Sequence, residues 1–139
     1  VSQLLERIDV IPAELVLMHA ANESAWGTSR FAKQGYNLFG LWCFKKGCGF
    51  VPQRRNEGAQ HEVAKFSSLL HAVTTYFRNI NRHQAYAELR AIRASLRNKN
   101  QRITPEALAQ GLGRYSERGD EYIKELINMI RFNRKFLSL

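Results

Sequence analysis

No apolar run in this sequence reaches the roughly 18 residues that a membrane-spanning helix needs. Acidic residues are scarce: 12 Asp+Glu stand against 21 Lys+Arg in 139 residues, a formal charge of +9. Such a surface draws polyanions, whether nucleic acid, anionic lipid or an acidic cell-wall polymer, although plain solvation of a basic surface fits the charge equally well. Cysteine is nearly absent, with only Cys43 and Cys48. Two ligands fall short of the four that a structural zinc site takes. Internal repeats and low-complexity tracts are missing too. Val1 to Asp9 carries Glu6 and Asp9 among its apolar residues, so no signal peptide opens the chain, whose start looks like a domain cut from a longer precursor.

What is there is a core-forming composition. Hydrophobic residues make up 45% of the chain, enough for one compact domain, residues 1–139. Ser2 caps a short helix in "SQLLERID", and Pro12 opens "PAELVLMHAANESA", where Leu15, Met18, Ala21 and Ala25 approximate one apolar stripe. Gly27 ends that helix, and another turn starts around "SRFAKQ". An insert at about 41–66 changes character to glycine, aromatics and alternation, with "GFVPQRR" and "HEVAKF" expected as strands around "NEGAQ". Helical patterning then resumes. Leu70, Val73, Phe77 and Ile80 share one stripe, and Ala85, Leu89, Ile92 and Leu96 share another. Thr104 and Pro105 mark N-cap and N1 of "ITPEALAQGLGRYS", and "GDEYIKELINMIRFNRKFL" is acidic at its start and basic at its end, as the helix dipole favours. The fold class expected is α+β, mostly α.

Glu23 is the residue that calls for explanation. It ends an apolar helical stretch and sits beside Ser24 and Trp26. A carboxyl at the mouth of a cleft among apolar neighbours holds its proton near neutrality and can give it to a glycosidic oxygen. An N-terminal cap or salt bridge for the next helix fits the spacing as well. His19 and Glu23 share a helical face and, with His61, contain metal-binding side chains, but the H-E-x-x-H order is missing, and no metal site is expected. Cys43 and Cys48 flank the loop-like Lys45-Lys46-Gly47, so they either close a small disulfide or remain two thiols packed near Trp42 and Phe44. Trp26, Tyr36, Phe39 and Trp42 are flat faces for sugar rings or core residues, and Asn37 either fixes the "YNLFG" turn or reaches a sugar. Arg54, Arg55, Arg78 and Arg82 are candidates for a basic face.

"ANESAWGTSRFAKQGYNLFG" resembles the signature of glycoside hydrolase family 73, bacterial N-acetylglucosaminidases. The matching positions are Ala21, Glu23, Ser24, Trp26, Gly27 and Ser29, followed by Asn37, Phe39 and Gly40. "AKFSSLLHAVTTYFRNI" and "LAQGLGRYSERGDEYIKELI" are similar to later segments of that family, and "LWCFKKGCGFVP" with "RRNEG" resembles its Bax subgroup. The resemblance implies a lysozyme-like fold, with a helical lobe and a small β-hairpin lobe lining a groove. It implies a peptidoglycan hydrolase that cuts the β-1,4 bond after N-acetylglucosamine, with Glu23 as general acid and with Ser24, Trp26, Tyr36, Asn37 and Phe39 toward the substrate.

A family-type hairpin carboxylate is displaced here, because "VPQRR" has arginines at its place. Glu62 is the favoured second carboxylate, Glu57 the next, and the substrate's own acetamido group the remaining choice. Tyr115 matches the tyrosine of the family's C-terminal motif, with one extra residue before Tyr122, and is expected to orient a water or an acetamido group. No metal or organic cofactor is called for, since both roles are side-chain chemistry. The expected setting is extracytoplasmic, periplasmic or envelope-associated, as a monomer on peptidoglycan glycan strands, without nucleic acid or an obligate protein partner. Two rivals remain: a lytic transglycosylase on the same polymer, and a non-catalytic basic glycan- or nucleic-acid-binding module.

Overall fold

The computed structural model describes residues 2–137. Val1, Ser138 and Leu139, included in the expected single domain, lie outside the described residues. The order of elements is α1 (Ser2–Arg7), α2 (Ala13–Glu23), α3 (Arg30–Gly35), β1 (Trp42–Cys43), β2 (Gly49–Phe50), β3 (Glu62–Ala64), α4 (Leu69–Arg82), α5 (Ala87–Asn98), α6 (Pro105–Ala109) and α7 (Asp120–Asn133). A single 3-10 turn at Gln84–Tyr86 leads into α5, and another at Arg134–Phe136 succeeds α7. This is an α+β fold, mostly α, as the patterning predicts and as a lysozyme-like fold requires. Among the described residues no helix is long and apolar enough to cross a membrane.

Contacts divide the chain into two units, one made of the residues up to His19 and from Phe77 onward, the other of Ala20–Tyr76. In the first unit, α5, α6 and α7 supply the buried residues Leu89, Leu108, Leu126 and Ile130. Thr104 accepts a bond from the Ala107 amide and Pro105 takes the first helical position, as the sequence predicts. That helix is shorter than expected and stops at Ala109. Just beyond its end, Gly111 lies so close to the Leu89 backbone that a Cβ has no room there.

Two arginines of α5 are buried, which the apolar stripe did not foretell. Arg93 donates to the Glu6, Asp9 and Val10 carbonyls and to Asn81 Oδ1, at 2.8–3.2 Å. Arg90 donates to the Ile80 and His83 carbonyls. Both act as interior caps for carbonyls in the last turns of α1 and α4 and just beyond them, and such charge-assisted bonds contribute about 1.5–3 kcal/mol each. Arg97 completes the clasp with two 2.8 Å bonds to the Asp9 carboxylate, which hold that carboxyl below its usual range.

The second unit holds the three-stranded sheet, ordered β1-β3-β2. Both outer strands run antiparallel to β3, with Trp42 opposite Val63 and Gly49 opposite Ala64. The expected hairpin is therefore present but shorter, since β2 stops at Phe50 before Pro52, and β1 adds a strand that the sequence reading did not contain. The "NEGA" turn forms as predicted, with the Ala59 amide on the Asn56 carbonyl and Gly58 at φ +79°. Five residues arch from β1 to β2, stapled by the Cys43–Cys48 disulfide. Of the two readings of the cysteine pair, the disulfide is the one that holds. In α4 the buried residues are Ala72, Tyr76 and Ile80, while Leu70 is exposed. The expected stripe is thus rotated by part of a turn.

His19 is fully buried at ring-centroid distances of 4.0 Å from Tyr115 and 6.2 Å from Tyr122. Burial pushes its imidazole down from 6.5 to about 3, so it stays neutral in the folded chain. The unfolded chain takes up that proton below pH 6.5, and the folded one does not. Stability is therefore complete above pH 6.5 and falls on acidification, by at most about 1.4 kcal/mol per pH unit. Urea midpoints at pH 7.5, 6.0 and 5.0 should decline in that order for the wild type and stay level for His19→Leu.

Candidate active site

The helix that carries Glu23 ends in an unusual way. Ala25, Trp26 and Gly27 come next with φ of 50°, 57° and 77°, three consecutive residues in the left-handed region. L-residues disfavour that region by roughly 1–2 kcal/mol each, so local bonds must over-determine it. They do. Trp26 N–H donates to the Ala21 carbonyl at 2.8 Å, Ser29 N–H to the Ser24 carbonyl at 3.0 Å, and Gly27 N–H to Ser24 Oγ at 2.8 Å. Ser24 Oγ in turn donates to the Ala20 carbonyl. The helix stops at Glu23, before the Gly27 expected from sequence, and the turn throws Trp26 outward with 63% of its surface exposed.

Ser29 then caps α3 through the Ala32 amide, and Tyr36 at φ 52° closes it. The chain enters residues 37–41 around Asn37. Asn37 Nδ2 donates to the Leu41 and Ala64 carbonyls, both at 2.9 Å, and its Oδ1 accepts from the Phe39 and Leu41 amides. Phe39 is buried and stacks on Tyr76 with centroids 4.0 Å apart. Gly40 comes next at φ +64°, and a Cβ built there would meet Glu23 Oε2 at 2.8 Å. The two separated motifs of the sequence, "NESAWG" and "YNLFG", thus meet at one point, the half-buried Glu23 carboxyl over the bare Cα of Gly40.

The predicted substrate residues divide by exposure. Trp26, Tyr36 and Trp42 present their rings to solvent. Ser24, Asn37 and Phe39 were expected at a sugar but are buried, and each uses its polar or aromatic group on protein partners: Ser24 on the Ala20 carbonyl, Asn37 on its own loop and β3, Phe39 on Tyr76. For Asn37, fixing the turn is the reading that the hydrogen bonds supply.

The insert carboxylates also part company. Glu57 is exposed in the turn at Gly58. Glu62 is buried, and its two oxygens accept from the Gly47 and Gly49 amides, each at 3.0 Å. Those backbone bonds, aided by Arg55 and Lys46, hold its carboxyl below the usual range against the opposing effect of burial. An anion stabilised in this way is a weak base. The signal available in the sequence was the pair of glycines after the lysines: Gly47 takes φ +85°, and a Cβ at Gly49 would collide with the Val63 carbonyl oxygen.

Tyr115 is half-buried in the other unit, edge-on to His19 and parallel to Tyr122. Among the described residues no three His, Cys, Asp or Glu side chains converge in a metal-holding group. His61, grouped with His19 and Glu23 in the metal reading, lies flat on Trp42 instead.

Residues 1–135 match the glucosaminidase family, described as mannosyl-glycoprotein endo-beta-N-acetylglucosaminidase. The chain is 38% identical over 135 residues to Protein bax of Escherichia coli (strain K12), which covers 97% of this chain and 47% of that protein. It therefore spans about half the length of the curated relative that it matches. No solved structure matches the chain at a significant level. The match over nearly all of its residues, together with the meeting of both motifs at Glu23, establishes that the chain belongs to the glucosaminidase family, a family of glycoside hydrolases.

Proposed function

We propose that this chain is a peptidoglycan hydrolase of endo-β-N-acetylglucosaminidase type, acting as a single catalytic domain, with Glu23 as the general acid. The observation that carries this reading is the Glu23 carboxyl held half-buried over Gly40 at the end of α2. The role calls for the protonated acid, the form that can donate. Glu23 gives its proton to the leaving oxygen of the β-1,4 bond after N-acetylglucosamine. The opposite face goes to the acetamido group of the substrate, whose carbonyl oxygen closes on the anomeric carbon before water opens the ring so formed. The occupied oxygens of Glu62 favour this assignment over a Glu62 base, and Glu57, free of the arch, is the side chain to compare with it. Trp26 and Tyr36 offer exposed rings to the glycan.

A disulfide in a chain of this size suits an oxidising compartment, which supports an extracytoplasmic, periplasmic setting. The basic charge suits acidic cell-wall glycan strands as substrate, bound by a monomer without nucleic acid.

Glu23→Gln should lower hydrolysis of purified sacculi by about 10²- to 10⁴-fold, with unchanged circular dichroism and retained binding. Wild-type activity in that variant would remove Glu23 from the mechanism. Mass spectrometry of the wild-type products should show reducing N-acetylglucosamine ends. Anhydro-muramyl ends would make the chain a lytic transglycosylase, and binding without product would make it a glycan-binding module.

The role of Gly40 separates from backbone strain by comparison with Gly58, which has φ +79° and nothing within 4 Å of a built Cβ. Gly40→Ala and Gly58→Ala should both lose about 1–2 kcal/mol in urea titrations. Only Gly40→Ala should also lose tenfold or more of its turnover, roughly 1.4 kcal/mol of barrier, because its new methyl displaces the Glu23 carboxyl.

A further inference from the structure

The end of α7, in the first unit, carries an apolar surface that the loop at Glu23 does not use. Phe132 and Phe136 are 75% and 73% exposed, and of the large apolar side chains described only Leu70 is as bare. They stand four residues apart on backbone that stays helical from α7 through the 3-10 turn at Arg134–Phe136, so both project from one side. Arg131, Arg134 and Lys135 are interleaved with them, and all three are exposed. Lys135 Nζ sits over the Phe136 ring, 5.0 Å from its centroid. A cavity of about 690 Å³ is shared by this turn and the start of α6, and its polar lining is Glu14, Arg102, Thr104, Glu106, Arg134 and Lys135. Arg134 is paired with Glu106. Burial opposes ionisation of Glu106, yet the Arg134 bond and the charges of Arg134 and Arg131 hold its carboxyl below the usual range. Against the two carboxylates, Glu14 and Glu106, the face sets four cations, Arg102, Arg131, Arg134 and Lys135, so an excess of positive charge remains beside the two rings.

We propose that this end of α7, with the cavity beside it, docks on a bilayer that contains anionic phospholipid. Phe132 and Phe136 enter the acyl boundary, while Arg102, Arg131 and Lys135 meet headgroup phosphates. A lipid interface takes both features at once, because apolar rings sink below the headgroups and long cationic side chains reach back up to them. A soluble polyanion would use the cations alone and leave two bare phenyl rings in water. A nucleic-acid strand stacks its bases on open aromatic faces, and one face of Phe136 is already taken by the Lys135 ammonium. The inference does not rest on the hydrolase reading, since none of these residues belongs to the loop at Glu23.

Co-sedimentation of the full chain with vesicles tests this, using phosphatidylcholine alone and an equal mixture of phosphatidylcholine and phosphatidylglycerol. The mixed vesicles should bind about tenfold more strongly at low salt, and added salt should remove most of that advantage. Phe132→Gln combined with Phe136→Gln should lower binding to the mixed vesicles by about tenfold. Arg102→Gln, Arg131→Gln and Lys135→Gln should each lower it by about fivefold. Circular dichroism should stay unchanged in every variant, because all five side chains are exposed. The inference is overturned if neutral vesicles bind as well as the mixed ones. It is equally overturned if the double phenylalanine variant, or the variant with all three cations replaced, binds the mixed vesicles like the wild type. A single-stranded oligonucleotide, titrated by fluorescence anisotropy, is the remaining probe. If it outcompetes the mixed vesicles and the same phenylalanine pair weakens it as much, the face belongs to nucleic acid and the bilayer assignment is wrong.

Discussion

Asn37 is the pin of the unit that contains Glu23. One buried side chain holds the Leu41 and Ala64 carbonyls with its amide hydrogens and the Phe39 and Leu41 amides with its oxygen. It fixes a five-residue loop to β3 and thereby sets Gly40 beneath the Glu23 carboxyl. An aspartate is nearly the same shape but has no hydrogens for two carbonyls, so the pin requires the amide. The aromatic packing of Phe39 on Tyr76 then closes the loop from the core side. The loop beneath the Glu23 carboxyl is thus held by backbone polar groups gathered around one residue.

The disulfide arch uses the same device with the opposite polarity. There the buried group is an acceptor, Glu62, and the gathered groups are the Gly47 and Gly49 amides. Antiparallel partners on both sides of β3 make β1 and β2 parallel to each other, a connection that normally takes a dozen residues or more. Five suffice because the strands are only two or three residues long, so the link has only to run from the Glu62 end of β3 to its Ala64 end. A carboxylate under the arch replaces the missing sheet bonds, and the Cys43–Cys48 link closes its base.

Features set by neighbouring residues were legible in the sequence. The Thr104-Pro105 start, the acidic entry to α7 and the Gly58 turn all arise from local backbone chemistry. The family signature marked Glu23 itself. Features set by distant backbone groups were not legible. The burial of Arg90 and Arg93 left no mark in the sequence because their partners are mainly carbonyls, which leave no trace in residue types. Glu62 read as a reacting group for the same reason, since its partners are backbone amides. β1 escaped notice because two residues are too few to show alternation. The approach of Gly40 to Glu23 needs the bend at Asn37, and the spacing of the two motifs alone does not contain it.

The left-handed turn after Glu23 also governs which substitutions the chain can accept. A β-branched side chain at 25 or 26 would collide with its own backbone at φ near 50–57°. Glycine, and to a lesser degree asparagine or aspartate, are the replacements that relieve the strain. Mutational drift along this stretch is therefore channelled by torsion angles before selection on catalysis has any effect, and a motif of this kind can persist for conformational reasons in a relative that has lost its enzymatic role.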